Sequence, residues 1–283
     1  MMLRAARAAL CLVIPGELLL AVLLTSGVSI PSPVLVVSGV FVACVIALET
    51  VVVARLFLAA RREGAGRREA VRLTYERLVP ITARRLVGFE AAGMAALVRW
   101  LGRRRHGVPA DAIALPYAGA RAFTMGILVF AAIVELVGLE LLLRALDAPA
   151  ALRITVLVID AYGVLIAFAM MAACSTRPHV VTGTEVRVRY GAFFDLWIPR
   201  ERITAVRRDS RFDEKGLIGV DGDRLAVAVS SQTNLVLELD RPITAVRPLG
   251  GTVEVGTVRF FADHPAAALD ALRTRPEPMT EAA

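Results

Sequence analysis

Cysteine, histidine and lysine are scarce in this sequence, and so are the motifs that they usually form. Its 283 residues include three Cys, three His and one Lys. The cysteines show no C-x-x-C spacing and the histidines lie far apart, so we expect no metal site and interpret the histidines as surface or interfacial residues. No zincin, α/β-hydrolase, P-loop or dinucleotide-binding motif occurs. We therefore expect a protein without enzymatic activity and without a cofactor.

Charged residues are nearly absent from four long apolar runs. The runs cover residues 8–28, 34–59, 122–143 and 152–173. Each has the roughly 20 residues that a helix needs to cross a hydrocarbon core about 30 Å thick. With 57% apolar residues and a mean hydropathy of +0.63, the sequence predicts four transmembrane helices. A secretory signal is the alternative for the first run, but Pro15 and Glu17 interrupt its centre and no A-x-A cleavage pattern follows.

The distribution of arginine predicts the orientation in the membrane. Residues 29–33 carry no charge, whereas residues 61–121 hold 13 Arg against five Asp and Glu. Because Lys and Arg are retained on the cytoplasmic side, we expect residues 61–121 and both termini in the cytoplasm of a multi-pass inner (cytoplasmic) membrane protein. Arg144 and Arg153 in the short external link argue against this orientation. Membrane retention also accounts for the pI of about 10.1 without a nucleic-acid partner.

A fifth apolar stretch, residues 86–101, is too short to span a bilayer. We interpret it either as an amphipathic helix in the inner membrane interface or as a helix packed on the rest of the cytoplasmic part. In the first case a basic cluster would face anionic inner-leaflet lipids. The cluster consists of Arg99, Arg103, Arg104 and Arg105. Pro80 should separate this helix from a preceding one that starts near Glu63.

Apolar and polar residues alternate from Ser175 onward, which is typical of antiparallel strands. The alternating runs cover residues 185–190, 202–208, 224–229, 234–239 and 252–261. Asp221-Gly222 is the clearest hairpin turn. Asp263 as N-cap and Pro265 in the first turn predict a short C-terminal helix.

This pattern of six or seven strands closed by one helix resembles the bacterial pleckstrin-homology-like (PH-like) domain that is attached to membrane helices, over about residues 177–275. Two segments support the resemblance, RPHVVTGTEVRVRYGAFFDLWIPRERITAVRR at the start and VRFFADHPAAALDALR at the end. The "IP...I..V" strand of that family is matched by Ile198, Pro199, Ile203 and Val206. The whole chain is also similar to an uncharacterised family of multi-spanning membrane proteins of GC-rich bacteria. These resemblances imply an architecture and a membrane location, and they imply no activity.

We therefore predict an α-helical membrane domain with four transmembrane helices and cytoplasmic amphipathic helices, followed by a small, mostly-β PH-like domain with one C-terminal helix. The predicted boundaries are 1–60 for the first two transmembrane helices, 61–121 for the basic cytoplasmic segment, 122–174 for the last two transmembrane helices, 175–275 for the cytoplasmic β domain and 276–283 for a disordered tail.

Four carboxylates lie inside the apolar runs. They are Glu17, Glu49, Glu135 and Asp160. An ionised carboxylate at the bilayer centre costs at least about 2.5 kcal/mol, so these side chains should face protein or water. Counting along the helices places the first two at one depth and the last two at another, which predicts two pairs. The pairs either form hydrogen bonds between helices, with Thr50, Tyr162 or backbone carbonyls as partners, or provide a path for protons or cations.

From these features we expect a non-catalytic scaffold or interaction protein. Its membrane-tethered β domain would bind an unknown protein partner or its own cytoplasmic segment. The alternative is a small transport or proton-coupled protein that uses the intramembrane carboxylates. Gly39, Ala43 and Ala47 give the second span a face of small residues, which suits helix packing within the chain or a homo-oligomer.

Overall fold

The computed structural model describes residues 32–274. Its helices are α1 (Ser32–Arg62), α2 (Arg67–Leu78), α3 (Ile81–Leu101), α4 (Gly119–Ala145), α5 (Ala150–Thr176) and α6 (Pro265–Arg273). The first predicted transmembrane run, with Glu17, and the predicted tail at 276–283 lie outside the described residues.

Three of the described helices are long and apolar enough to cross a membrane. They are α1, over Gly39–Arg62, α4 and α5. They coincide with the second, third and fourth apolar runs, so the described part has three candidate spans where the whole sequence predicts four. Only 6% of the most apolar stretch of α4, and of α5, is buried within the chain. The side chains of these helices therefore remain available to a surrounding apolar phase, as expected of a membrane-associated protein.

Contacts within the chain divide the described residues into two compact units. One contains residues 32–84 and 134–162, and the other contains residues 85–133 and 163–274. The boundaries fall inside α3, α4 and α5, so each of these helices contributes to both units.

In the first unit, a glycine turn separates α1 from α2. Gly64 has a φ of +91°, a backbone conformation that residues with a side chain rarely adopt. The helix predicted to start near Glu63 therefore starts at Arg67, after this turn. The predicted break at Pro80 is confirmed, since α2 ends before it and α3 begins after it.

The link between α4 and α5, also in the first unit, carries two arginines that pair with one carboxylate. Glu140 accepts a hydrogen bond from Arg144 Nε over 2.8 Å and another from Arg153 Nη2 over 2.5 Å. Arg144 lies on the same helix as Glu140, and Arg153 lies on α5. The two positive charges that oppose the predicted orientation are thus partly offset by a neighbouring negative charge.

The second unit contains two β-sheets. The strands are β1 (Ile113–Leu115), β2 (His179–Val181), β3 (Glu185–Tyr190), β4 (Phe194–Pro199), β5 (Ile203–Arg211), β6 (Ile218–Asp221), β7 (Arg224–Val227), β8 (Thr233–Val246) and β9 (Thr252–Phe260). The first sheet is antiparallel in the order β1-β2-β3-β4. The second has the order β5-β8-β9-β7-β6, in which β7 and β9 run parallel. The two sheets and α6 are called the β domain below, and the predicted mostly-β region with a C-terminal helix is confirmed.

Strand β1 is a part of the first sheet that the sequence analysis does not predict. It lies in the arginine-rich segment before α4 and pairs with β2, with Leu115 opposite His179. The sheet therefore begins before the α4–α5 hairpin, and the predicted boundary at residue 175 leaves this strand out.

The strands predicted from alternation are present, and β8 differs most in length from its predicted run. The hairpin at Asp221-Gly222 is confirmed between β6 and β7, and Gly222 has the positive φ, +62°, that such turns favour. Strand β8 continues beyond the predicted run. Its pairing with β9 is interrupted between Glu238 and Ile243, where Pro242 has no N–H to donate.

The core of the β domain lies between the inward faces of its strands. On β4, Leu196 and Ile198 are buried, whereas Asp195 and Trp197 point outward. This alternation is the one that the sequence shows. Helix α6 adds Ala268, Ala271 and Leu272 to the same core.

Candidate functional site

The carboxylate of Asp263 joins the β domain to the first turn of α4. It accepts hydrogen bonds from the backbone N–H groups of Gly119, over 2.9 Å, and Ala120, over 3.3 Å. The backbone N–H of Asp263 donates to the Pro116 carbonyl over 2.8 Å. A Cβ at position 119 would lie 2.9 Å from the Asp263 carboxylate, so this approach depends on glycine. A carboxylate at this position satisfies free helix N–H groups and interacts favourably with the helix dipole.

The sequence prediction that Asp263 caps α6 is wrong. The residue before α6 is His264, whose side chain makes no capping hydrogen bond. The Asp263 carboxylate is instead used by α4, which lies far away in the sequence.

Tyr117, two residues before α4, is buried in the β domain with 1% of its surface exposed. Its hydroxyl oxygen accepts a hydrogen bond from the Gly191 N–H over 2.6 Å. Its ring stacks on the ring of His179, with 4.5 Å between centroids. Burial raises the pKa of Tyr117 well above its ordinary value, so the phenol stays protonated. The segment leading into α4 is thus held by the core of the β domain.

His179, predicted to lie at a surface or interface, is instead fully buried. Its Nδ1 accepts a hydrogen bond from the Arg189 N–H over 2.9 Å, and its Nε2 lies 2.9 Å from the Phe261 carbonyl, to which it donates. This arrangement fits the neutral ring with one proton, on Nε2. Burial lowers the pKa of His179 to about 4, against the opposing effect of the Phe261 carbonyl. His179 is therefore a structural residue of the core.

Arginines from three separate segments lie within electrostatic range of one another near the ends of α3 and α5. We call this the junction cluster, and it consists of Arg99, Arg177, Arg187 and Arg189. Arg189 is 2% exposed and donates to the carbonyls of His106, over 3.0 Å, and Gly107, over 2.8 Å. The His106 N–H in turn donates to the Thr176 carbonyl at the end of α5 over 2.8 Å. The loop after α3 is therefore bound both to α5 and to the first sheet.

The junction cluster has more positive charge than its neighbours neutralise. Asp195 is the one carboxylate that forms ion pairs with it among residues 32–274. That carboxylate accepts two hydrogen bonds from Arg187, over 2.6 and 2.5 Å, and lies 3.7 Å from Arg189 Nε. Arg177 Nε is buried and has no hydrogen-bond partner in the described chain, and its Nη1 makes one long contact of 3.4 Å with the Gly191 carbonyl. Arg177 and Arg189 thus each have a buried Nε without a hydrogen-bond partner among the described residues, and Arg177 makes the fewer hydrogen bonds of the two.

Electrostatics at Arg177 reflect this imbalance. Burial is the largest cause that lowers its pKa, and the charges of Arg99 and Arg187 lower it further, while Asp195 acts in the opposite direction. The pKa of His106 is lowered for the same reasons, burial first and then Arg177 and Arg99. A cluster of this kind favours an oxyanion as a ligand.

The predicted lipid-facing arginines occupy two different environments. Arg99 is half-buried and belongs to the junction cluster, whereas Arg103, Arg104 and Arg105 are exposed in the loop after α3. The sequence analysis did not identify Arg177, Arg187 and Arg189, which lie after α5 and on β3.

Helix α3 packs on the protein with one face and exposes apolar residues on another. Phe89 meets Phe193 edge to face, with 5.0 Å between centroids, and Arg85 Nη1 donates to the Arg247 carbonyl over 2.8 Å. The exposed apolar residues are Leu86, Val87, Val98 and Leu101. The packed helix is therefore the observed state, and the exposed face remains available to an interface.

Two recesses lie close to these elements. One, of about 30 Å³, is lined by residues that include Tyr117, Arg121, Met171 and Tyr190, and Arg121 donates to the Tyr190 hydroxyl there. It has room for about one water molecule, which is too small for a substrate. The other, of about 230 Å³, is an open groove on the outer face of the first sheet beside Arg187 and Trp197. The Arg187 guanidinium lies 3.9 Å from the Trp197 ring centroid.

The structure does not bring the four intramembrane carboxylates into a described site. Glu17 and the side chain of Glu49 lie outside the described residues. Glu135 is exposed and Asp160 is half-buried, and neither has a hydrogen-bond or ion-pair partner among the described residues. Thr50, one of the predicted partners, donates its hydroxyl to the Ile46 carbonyl of its own helix.

Across residues 32–274, no group of three or more His, Cys, Asp or Glu is placed to hold a metal ion. Comparison of the chain with protein-family models, with curated proteins and with solved structures finds no match.

Proposed function

We propose that the chain is a non-catalytic, membrane-anchored interaction protein whose β domain binds a protein partner. In this proposal residues 8–28 form a fourth transmembrane helix, and both termini lie in the cytoplasm. The β domain, of the pleckstrin-homology-like type, then lies at the cytoplasmic face of the inner membrane, together with residues 61–121.

One observation carries the proposal, namely that the β domain is held by two membrane helices at once. Strands β1 and β2 are neighbours in one sheet, and the α4–α5 hairpin connects them. On the α4 side, Tyr117 and Asp263 add the contacts described above. On the α5 side, only two residues separate the end of α5 from β2. The first sheet is thus attached to both ends of the helical connection, which reduces the ordering cost of binding a partner.

Exposed apolar side chains on the β domain provide surfaces for that partner. Phe212 is 71% exposed, Leu249 is 60% exposed and Trp197 is 51% exposed. Aromatic side chains are enriched where proteins contact each other. The pairing of β1 with β2 supports the alternative that the β domain binds the chain's own cytoplasmic segment. The arginine-rich segment already occupies one edge of the first sheet through β1.

Photo-cross-linking in native membranes tests this function. A photoreactive residue is introduced singly at Phe212, Trp197 or Leu249, and at Arg241, an exposed polar position, as the control. We expect one defined protein to be cross-linked from at least one of the three apolar positions and not from the control. The same products from all four positions, or none from any of them, would contradict a specific interaction surface.

A further inference from the structure

We propose that Arg99 and Arg177 form a binding site for the phosphate group of an anionic phospholipid, with Arg103, Arg104 and Arg105 at its rim. The inference deepens the proposed function, because it rests on the membrane placement of α5 and names a ligand for the junction. The sequence analysis expects a basic surface that attracts anionic lipids in general, whereas this inference assigns a discrete site for one phosphate group.

The position of the site fits a lipid headgroup. Arg177 directly follows Thr176, the last residue of α5, and a helix that crosses the bilayer ends at the level of the headgroups. Arg99 lies in the last turn of α3, whose exposed apolar residues include Val98 and Leu101. A bound phospholipid can therefore place its phosphate at the two arginines while its acyl chains remain in the apolar phase.

The uncompensated positive charge of the site favours an anionic ligand. Arg99 and Arg177 are half-buried, and the Arg99 side chain makes no hydrogen bond or ion pair with any described residue. Among the described residues no carboxylate forms an ion pair with either side chain, and the positive charges of Arg99 and Arg177 disfavour each other. A phosphate supplies the missing negative charge and accepts the paired N–H donors that a guanidinium presents.

The other two members of the junction cluster have different roles. Arg187 is bound to Asp195 and stacks on Trp197, and Arg189 is directed at backbone carbonyls. They contribute positive potential and hold the loop, and they have no free pair of donors. The negative end of the α5 helix dipole would stabilise a positive charge at Arg177 without any ligand. It does not explain why a second arginine, Arg99, lies nearby.

The test uses the full-length protein in nanodiscs of phosphatidylcholine, alone or with phosphatidylglycerol. Bound phosphatidylglycerol is counted by native mass spectrometry, and its stabilising effect is measured as the shift in unfolding temperature. The variants are Arg99→Gln with Arg177→Gln, the same pair changed to Lys, and Arg208→Gln as an exposed control on β5.

We expect wild type and Arg208→Gln to bind phosphatidylglycerol alike. The double Gln variant should bind it about 25-fold more weakly, from about fivefold per arginine. The double Lys variant should fall in between, because it keeps the charge and loses the paired donors. In pure phosphatidylcholine the double Gln variant should unfold at the wild-type temperature or above it, since the repulsion is removed.

Three results would overturn the inference. Undiminished binding by the double Gln variant would exclude these residues as the site. An equal loss in Arg208→Gln would indicate diffuse electrostatics. Equal stabilisation by inorganic phosphate in phosphatidylcholine nanodiscs would replace the lipid by a soluble phosphate. The cross-linking of a partner from Phe212, Trp197 or Leu249 does not depend on this site, so failure here and failure of the proposed function are distinguishable.

Discussion

Acidification should destabilise the β domain through His179, whose burial opposes protonation. In the folded chain its pKa is about 4, compared with an ordinary value of 6.5. The unfolded chain therefore takes up a proton at a higher pH than the folded chain. Because the folded pKa is the lower one, the contribution of His179 to stability is fully present above pH 6.5 and is lost as the pH falls towards 4.

The size of this effect follows from the two values. The interval from 6.5 to about 4 corresponds to about 3 kcal/mol at pH 4. The geometry explains this loss of stability. Nδ1 now accepts a hydrogen bond from the Arg189 N–H, and protonation of Nδ1 would place two N–H groups against each other. Asp209 has the opposite kind of dependence, because its hydrogen bond with Arg259 lowers the carboxyl pKa below 3.8 and its contribution is lost only in stronger acid. The pKa of His106 is also lowered from 6.5, so a substitution at His179, and not the pH range alone, separates the contribution of His179.

The assay is denaturant unfolding of the full chain in nanodiscs across this pH range, for wild type and His179→Gln. The glutamine keeps a donor for the Phe261 carbonyl and cannot take up a proton, so we expect the variant to be less stable than wild type at neutral pH and to lose less stability as the pH falls. The difference in unfolding free energy between the two proteins should shrink as the pH falls. Parallel curves for the two proteins would refute the assignment of the buried neutral histidine.

Three further predictions address the anchor, the topology and the intramembrane acids. Asp263→Ala should lower the free energy of unfolding by about 1 kcal/mol, because the N-terminus of α4 loses its cap. Asp270→Ala, which removes an exposed acid on α6, should have little effect on it. Equal effects of the two substitutions would contradict the role of Asp263 as a cap. A reporter fused after residue 274 should be active only in its cytoplasmic form and one in the α4–α5 link only in its external form, and the reverse pattern would exclude the proposed topology. Glu135→Gln with Asp160→Asn should leave partner cross-linking intact, and a proton flux in proteoliposomes that this double variant abolishes would favour transport instead.

The sequence predicts the larger strands because each carries its own alternation of polar and apolar residues. Strand β1 has no such signal, since three residues cannot establish a period and its partner, β2, lies beyond two long helices. The extension of β8 is hidden for a different reason. Pro242 indicates the end of a strand in the sequence, but the structure accommodates it in an interruption of the ladder.

The site is less predictable than the fold because its members come from separate segments. Arg99 stands out in the sequence as part of a basic run, whereas Arg187 and Arg189 resemble the ordinary outward residues of an alternating strand. Their meeting with Arg177 depends on the loop that binds the end of α5 through His106. The burial of His179 is similarly invisible, since the three-residue strand β2 is buried on both faces and shows no alternation.

The topology couples the start of α4 and the end of α5 to the first sheet. Residues 116–178, with α4 and α5, form the connection between the antiparallel neighbours β1 and β2. Because Leu115 lies opposite His179 in that ladder, the two ends of the connection are held about 5 Å apart. Any change in the spacing between the start of α4 and the end of α5 must therefore strain the ladder, the Asp263 cap or the Tyr117 contact. A partner that binds the β domain and a lipid at the junction cluster would then both act on the start of α4 and the end of α5.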